Sequence, residues 1–230
     1  MFTHMIANAR LTMKKTRTKR PLLTLLFAAV ALTSAAVSAD VPTDPFDVQP
    51  LLVGSKAPAF EARNADGSPF SFDPERLDKN TIVLFYRGGW CPFCMLHWAE
   101  LRKIEDELFD LGFDLVFMSA DKPEILAEAL KGEDQPRYHL LSDASMQTAE
   151  SFGVAFKVDD ATIVRYEKHG IDLKQASGYD HHVLPVPSLF MIGTDGIIKF
   201  QYANPDYKIR LHPDVLLAAA RTMPNRKLRD

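Results

Sequence analysis

Cys91 and Cys94 are the residues of this chain whose type and spacing point most directly to chemistry. They are its only cysteines and lie three positions apart in the motif Trp90-Cys91-Pro92-Phe93-Cys94. A helix that begins at this motif places Cys91 at its N-terminus, where unpaired N–H groups and the helix dipole favour a thiolate. Cys94 then lies one turn further on and can close a disulfide with Cys91. The motif therefore predicts a redox-active pair with a nucleophilic Cys91 and no separate cofactor.

A structural disulfide and half of a zinc site are the two simpler interpretations of the pair. A disulfide across so short a loop restrains little of the unfolded chain. Zinc needs two further ligands, and no second CxxC or HxxxH motif provides them. His181-His182 lacks a third ligand, so we expect no metal site. His97, one turn after Cys94, is predicted to lie on the surface of the helix.

The residues around the pair predict the elements that position it. Thr81–Tyr86 is a continuous β-branched and aromatic run, typical of a strand buried on both faces, and Gly88-Gly89 ends it. A single helix that Gly112 terminates is predicted after the motif by apolar residues at three- and four-residue spacing, namely Leu101, Ile104, Leu108 and Leu111.

Strands and helices continue to alternate along the chain, which predicts an α/β fold. The further expected elements are a β extension within Leu51–Phe72, strands Phe113–Ser119 and Tyr138–Leu141, helices Pro123–Leu130 and Pro213–Arg221, and a hairpin of Ser188–Ile192 with Ile197–Tyr202. Val154–His182 is left as an insertion of unknown purpose, with a helix Ala161–Lys168 capped by Asp159 or Asp160.

Residues 1–39 have the features of a secretory signal peptide. Lys14–Arg20 is basic, Leu22–Val37 is apolar, and Val37-Ser38-Ala39 has small residues suited to cleavage. We expect cleavage after Ala39 and a periplasmic or secreted protein without stable membrane insertion, with an uncleaved anchor as the alternative and Met13 as an alternative start. Disulfides persist in such a compartment.

The chain without this leader is acidic, with 21 basic against 30 acidic residues and a net charge of −9. Such a surface does not attract phosphate backbones, so no nucleic-acid partner is expected. Residues 40–50 lack a periodic apolar face and are predicted to be a tether. Residues 51–221 are the predicted domain, and residues 222–230 a polar tail.

A proline also precedes the predicted strand Ser188–Ile192, in the sequence Leu184-Pro185-Val186-Pro187. A proline before a strand is commonly an edge-strand proline. Beside a CxxC pair, a cis X-Pro turn can bring backbone against the disulfide and present hydrogen-bonding groups to a substrate chain. We therefore predict a cis peptide at Val186–Pro187.

From Leu51 to Arg221 the chain resembles the peroxiredoxin-like, alkyl-hydroperoxide-reductase/thiol-specific-antioxidant branch of the thioredoxin superfamily. Three segments carry the resemblance in order, namely Val53–Phe60 with the Asp66-Gly67 turn, Phe85–Cys94, and Leu184–Pro187 through Asp195-Gly196 to Asn204–Arg210. The resemblance implies a thioredoxin-like fold, in which helices flank a central mixed sheet with an N-terminal β extension. It also implies an antioxidant thiol peroxidase that a thioredoxin-type donor recycles.

The resemblance implies roles for individual residues as well. The family's attacking cysteine falls at Cys94, its positioning threonine at Cys91 and its arginine at Pro187. Arg87 and Arg210 could supply the missing charge, or they could be surface ion-pair residues. The buried acid of thioredoxins falls at Phe85 and is therefore absent from its usual place. The candidates for substrate binding or thiolate tuning are Trp90, Pro187, Arg87 and Arg210.

Three functions remain open at this point. The leading one is reduction of hydroperoxides by the pair, and the rival is disulfide exchange with cysteine-containing proteins. The third is a non-catalytic binding module that retains an inert pair. A cation within reach of the reactive sulfur favours the peroxide, whereas an apolar groove around Pro187 favours a polypeptide.

Overall fold

The computed structural model describes residues 40–131 and 136–223. The predicted signal peptide and residues 224–230 of the predicted tail lie outside them. The strands of the described residues are β1 (Phe60–Asn64), β2 (Pro69–Phe72), β3 (Asn80–Tyr86), β4 (Phe113–Ser119), β5 (His139–Ser142), β6 (Ala155–Lys157), β7 (Val183–Pro185), β8 (Ser188–Ile192) and β9 (Ile198–Ala203). The helices are α1 (Pro92–Leu101), α2 (Glu105–Asp110), α3 (Pro123–Ala129), α4 (Gln147–Ser151), α5 (Asp160–Lys168), α6 (Leu173–Ser177) and α7 (Pro213–Thr222).

Seven of these strands form one mixed sheet in the order β2-β1-β5-β4-β3-β8-β9. The central strand β3 runs parallel to β4 and antiparallel to β8, and β4 runs parallel to β5. The β1–β2 hairpin is the N-terminal β extension, and it joins the sheet through β5. The predicted α/β fold with a central mixed sheet and flanking helices is thus confirmed.

Strand β3 is buried on both faces because its side chains alternate between two apolar layers. Val83 and Phe85 belong to the layer that contains Phe152 of the loop after α4. Leu84 and Tyr86 belong to the opposite layer, which α1 and α7 help to form. This is the arrangement that the uninterrupted apolar run predicts, and it gives the chain a rigid strand directly before the cysteine pair.

The helix after the pair is interrupted, which corrects the expectation of a single helix. Helix α1 ends at Leu101 and α2 begins at Glu105. Between them the Lys103 and Ile104 N–H groups bond to carbonyls three residues back, so the backbone tightens into a turn. Apolar periodicity missed the break because Ile104 still packs against the same layer as Leu101 and Leu108.

The inserted segment, residues 154–182, folds onto the layer opposite α1. Its first strand, β6, pairs with β7, and the Asp159 side chain caps α5 by accepting the Thr162 N–H at 2.9 Å. Ile163 and Tyr166 of α5 pack against the layer that contains Phe85. The insertion therefore covers one face of the sheet close to the C-terminal end of β3.

Residues 40–50, which we predicted to be a tether, lie along the domain. The Lys157 N–H donates to the Pro42 carbonyl at 2.8 Å. A Cβ at Gly153 would approach the Gln49 carbonyl oxygen to 2.0 Å, so the two backbones are in close contact. Val41 and Val48 pack against the core as isolated apolar residues, a pattern too sparse for periodicity to detect.

The Val186–Pro187 peptide is trans, as are the other peptide bonds of the described residues, so the predicted cis bond is wrong. The chain passes from β7 into β8 in extended form. The Val186 N–H donates to the Val154 carbonyl, and the Pro187 carbonyl accepts the Asn204 N–H. These hydrogen bonds fix the residues on both sides of Pro187 in an extended chain.

Among residues 40–131 and 136–223, no helix is long and apolar enough to span a membrane.

Candidate active site

Cys91 and Cys94 lie where β3 leads into α1 at the C-terminal end of the strand. Cys91 is the N-cap residue of α1, and its carbonyl accepts the N–H groups of Cys94 and Met95. Pro92 occupies the first helical position, where a missing N–H costs nothing. Both cysteines are reduced, and their exposed fractions are 2% and 3%. One strand, one short loop and the first turn of α1 therefore position the pair.

The two thiols differ strongly in acidity. The pKa of Cys91 is lowered to about 6, first by hydrogen bonding from the Cys94 thiol and then by the charges of Arg87 and Arg210, which together outweigh burial. The pKa of Cys94 is raised because its thiol hydrogen-bonds to Cys91 and is buried. At neutral pH the reduced pair therefore holds one proton, with the thiolate on Cys91.

Arg210 lies against the second sulfur. Its Nη2 donates to Cys94 Sγ at 3.3 Å, although the two residues are 116 positions apart in sequence. The loop that carries Arg210 is tied to α1 by His97, whose Nε2 donates to the Leu211 carbonyl at 3.1 Å. His97 is only 8% exposed, and burial and the charge of Arg210 lower its pKa to about 4. His97 is thus a buried, neutral residue, which corrects the prediction of a surface histidine.

Arg87 is the second cation of the site. It directly follows β3 and is 2% exposed, so it is not a surface ion-pair residue. Its guanidinium lies against the rings of Tyr207, Trp90 and Tyr166. Two cations therefore approach the pair from different loops, and their charges act on Cys91.

Asp121 is a site residue that the sequence analysis missed. It follows β4, is fully buried, and accepts the Gly89 N–H with Oδ2 at 2.6 Å. Burial raises its pKa, against hydrogen bonds from Gly89 and Ser119. The C-terminal ends of the parallel strands β3 and β4 lie side by side, so an acidic residue two positions after β4 was a usable signal. Asp121 holds the loop that leads from β3 to Cys91.

Pro187 lies on the Cys94 side of the site. Together with Arg210 it lines a cavity of about 20 Å³, whose other walls are mainly apolar. The cavity has room for about one water-sized molecule. The structure thus brings Pro187 and Arg210 together around Cys94, with Arg87 and Trp90 grouped on the side of Cys91.

Comparison with known proteins identifies the family of the chain. A model of the AhpC/TSA family matches residues 53–201. The chain belongs to this family. Peroxiredoxin Bcp of Escherichia coli (strain K12) is 30% identical over 172 residues, which cover 74% of this chain and 96% of the relative. A putative peroxiredoxin bcp of Haemophilus influenzae is 35% identical over 107 residues, or 46% of this chain and 68% of the relative.

Solved structures of a peroxidoxin and of a peroxiredoxin-like protein share the fold. Peroxidoxin BcpB from Mycobacterium tuberculosis has a TM-score of 0.53 at 22% identity and covers 74% of this chain and 96% of that chain. A peroxiredoxin-like protein from Aquifex aeolicus has a TM-score of 0.59 at 16% identity and covers 80% and 98%. These confirm the thioredoxin-like architecture. Membership of the AhpC/TSA family in turn indicates a thiol-dependent peroxidase with an antioxidant role, as the sequence predicted.

The structure shows what lies at the two positions where the resemblance implies the family's threonine and arginine. Cys91, expected at the threonine position, is the N-cap residue of the helix that carries Cys94. Pro187, expected at the arginine position, carries no charge, and the guanidinium that contacts Cys94 comes from Arg210. The positive charge is therefore present but is supplied by another part of the chain.

Proposed function

We propose that this protein is an exported thiol peroxidase that reduces hydroperoxides with the Cys91/Cys94 pair and is recycled by a thioredoxin-type dithiol. The observation that carries the proposal is the guanidinium of Arg210 at the pair, which lies 3.3 Å from Cys94 Sγ and whose charge also favours the Cys91 thiolate. A fixed positive charge beside a buried sulfur stabilises thiolate and the oxygen anion that leaves a peroxide. The acidity of Cys91 supports its assignment as the attacking sulfur.

In the first step, the Cys91 thiolate attacks one peroxide oxygen. An S–O bond forms while the O–O bond breaks, and the other oxygen leaves as alcohol or water after it takes a proton. The sulfur is oxidised to a sulfenic acid, and the peroxide is reduced by two electrons. Arg87 is the cation that we assign to this sulfur, since its charge favours the Cys91 thiolate.

In the second step, Cys94 attacks the sulfenic sulfur of Cys91. The S–S bond forms as the S–O bond breaks, and the hydroxyl leaves as water with the proton of the Cys94 thiol. Arg210 stabilises the Cys94 thiolate that this attack requires. A dithiol donor then reduces the disulfide by two successive exchanges and is itself oxidised.

The leader supports the exported location. Its basic, apolar and small-residue regions follow each other in the order that a signal peptide needs. In an oxidising compartment a lone pair of cysteines tends to remain a disulfide unless a donor reduces it. Export and a dedicated dithiol donor are therefore parts of one proposal.

Exchange with protein disulfides is a second function that one observation favours. Phe93 and Leu96 of α1 and Ile209 beside Arg210 are exposed apolar side chains, with exposed fractions of 40%, 63% and 52%. Such side chains beside a reactive pair suit contact with a polypeptide. Reduction of a disulfide-containing protein faster than hydrogen peroxide would favour this function over the peroxidase.

The stoichiometry of oxidation tests the peroxidase. One equivalent of hydrogen peroxide added to the reduced protein should consume two thiols and leave no sulfenic acid. In Cys94→Ser the same addition should leave a sulfenic acid on Cys91 that dimedone labels, because the second step is blocked. Loss of thiols no faster than that of a free thiol at the same thiolate fraction would contradict the proposal.

A further inference from the structure

Arg87 is a buried cation that pairs with no carboxylate of the described residues. Arg87 as a residue is 2% exposed, and among residues 40–131 and 136–223 it forms no ion pair with a carboxylate. Its Nε is a buried donor without an acceptor in the same residues. A charge taken out of water in this way requires compensation. Other interactions in the fold must therefore stabilise the buried charge of Arg87.

Three aromatic rings surround the guanidinium. Its carbon lies 4.2 Å from the ring centre of Tyr207, 5.1 Å from that of Trp90 and 5.4 Å from that of Tyr166. Cation–π attraction to such rings offsets part of the lost hydration. Tyr166 contributes more than its ring, since its hydroxyl accepts a hydrogen bond from Arg87 Nη2. Among these three residues, only Tyr166 both stacks on the guanidinium and accepts a hydrogen bond from it.

Tyr166 comes from the inserted segment, residues 154–182, which packs on one face of the sheet and to which the proposed reaction assigns no residue. It lies on α5, whose Ile163 anchors the helix to the core. An arginine at the end of a strand otherwise extends its guanidinium into water. The α5 helix instead closes over Arg87 and keeps its charge close enough to favour the Cys91 thiolate.

We propose that Tyr166 is a positioning residue for the reactive pair: it holds the Arg87 guanidinium against Trp90, the residue before Cys91, so that the Cys91 thiolate is the counter-anion of Arg87. The purpose of the insertion is then to complete the active site from the far side of the sheet. This inference rests on the proposed function of the pair, but it concerns the ionisation of Cys91 and not its reaction with peroxide.

The test compares Tyr166→Phe, which keeps the ring, with Tyr166→Ala, which removes the ring and the hydroxyl. The readout is the pH midpoint of iodoacetamide alkylation of the reduced mature protein, residues 40–230. Fragment mass spectrometry identifies the modified cysteine. The other titratable groups that act on Cys91, namely Cys94 from α1 and Arg87 and Arg210 from two loops, are unchanged. Asp121, which binds the same loop, is unchanged as well.

We expect the midpoint to rise in the order wild type, Tyr166→Phe, Tyr166→Ala. A rise of about one pH unit lowers the thiolate fraction at pH 6 about fivefold. Ile163→Ala is the matched control, because it weakens the packing of the same helix without removing a contact of Arg87. It should lower stability but leave the midpoint unchanged. Tyr179→Phe is a second control, since Tyr179 is an exposed tyrosine of the same insertion.

Wild-type midpoints in both Tyr166 variants would overturn the positioning role and leave the proposed peroxidase intact. An equal shift in Ile163→Ala would also overturn it, because the effect would then come from general loosening of α5. Shifted midpoints in a protein that reacts no faster with peroxide than a free thiol would instead overturn the proposed function and retain the role of Tyr166. If Tyr166→Ala does not fold, the alkylation midpoint of Tyr166→Phe alone tests the positioning role, since this variant retains the packing of the ring.

Discussion

Cys91 and Cys94 share one apolar layer and yet differ in ionisation, because Cys94 donates its proton toward Cys91. In the folded protein the pKa of Cys91 is about 6, below its ordinary value of 9.0. The thiolate form is therefore favoured by folding. Its contribution to stability is fully present above the ordinary value and is lost as the pH falls through about 6.

The reduced protein should thus gain stability from pH 6 to about pH 9 relative to Cys91→Ser. Urea unfolding followed by tryptophan fluorescence, in the presence of a reductant, measures the difference between the two proteins. Groups that titrate in both cancel in this difference. The raised pKa of Cys94 acts only above this window, where unfolded thiols ionise. A difference that is constant over this range would show that the folded Cys91 is not acidic.

Arg210 should control the second step of the reaction. Arg210→Met removes the donor that lies 3.3 Å from Cys94 Sγ, and a hydrogen bond to an ionised group contributes about 1.5–3 kcal/mol. We therefore expect disulfide closure to slow by about tenfold or more, and dimedone to trap more sulfenic acid. Lys208→Met, a loss of positive charge in the same loop, is the control. Equal closure rates in the two variants would refute the assignment.

At the scale of elements, the loop between β3 and α1 determines where Cys91 lies. Gly88 adopts a φ of +137°, and a Cβ there would meet Trp90 Nε1 at 2.4 Å and Asp121 Oδ1 at 2.7 Å. Only glycine fits this position without strain. The buried Asp121 then holds the next residue through its N–H. The loop is therefore shaped by one glycine and one carboxylate before the helix begins.

Gly88→Ala should destabilise the protein by roughly 1–3 kcal/mol and change the fluorescence of Trp90. Gly89→Ala is the matched control, since Gly89 has no positive φ and its Cβ would lie 3.7 Å from Asp121 Oδ2. Chemical unfolding of the two variants measures the difference. Equal stability of the two would mean that the loop accommodates a side chain at position 88.

Strands made of uniform apolar runs were predictable because polar or turn-forming residues mark where each run ends. Phe113–Ser119 and Ser188–Ile192 are the observed bounds of β4 and β8, as the sequence predicted. Arg87 and Arg210 were candidates from the sequence, and Asp121 left a signal after β4, whereas the contacts made by Tyr166 and Leu211 were not predictable from local pattern. Asp121 hydrogen-bonds to Gly89 across 32 positions of the sequence. Tyr166 hydrogen-bonds to Arg87 across 79 positions, and Leu211 to His97 across 114. Such contacts depend on how the sheet and the insertion fold together, which periodicity does not encode.

At the scale of the whole molecule, the leader predicts an exported protein. Expression of the full chain in a Gram-negative bacterium should yield a periplasmic protein whose N-terminal residue is Asp40. Fractionation and intact mass measure this outcome. Replacement of Lys14, Lys15 and Arg17 by Glu should retain the precursor in the cytoplasm. A full-length, membrane-bound product would indicate an uncleaved anchor.

The most direct test of the account is the reaction of the reduced mature protein with hydrogen peroxide, followed in a stopped-flow instrument by tryptophan fluorescence. We expect fast oxidation that persists in Cys94→Ser and is lost in Cys91→Ser, because Cys91 carries the thiolate. Oxidation that persists only in Cys91→Ser would keep the peroxidase and reassign the attack to Cys94. A wild-type rate no faster than that of a free thiol at the same thiolate fraction would contradict the central claim.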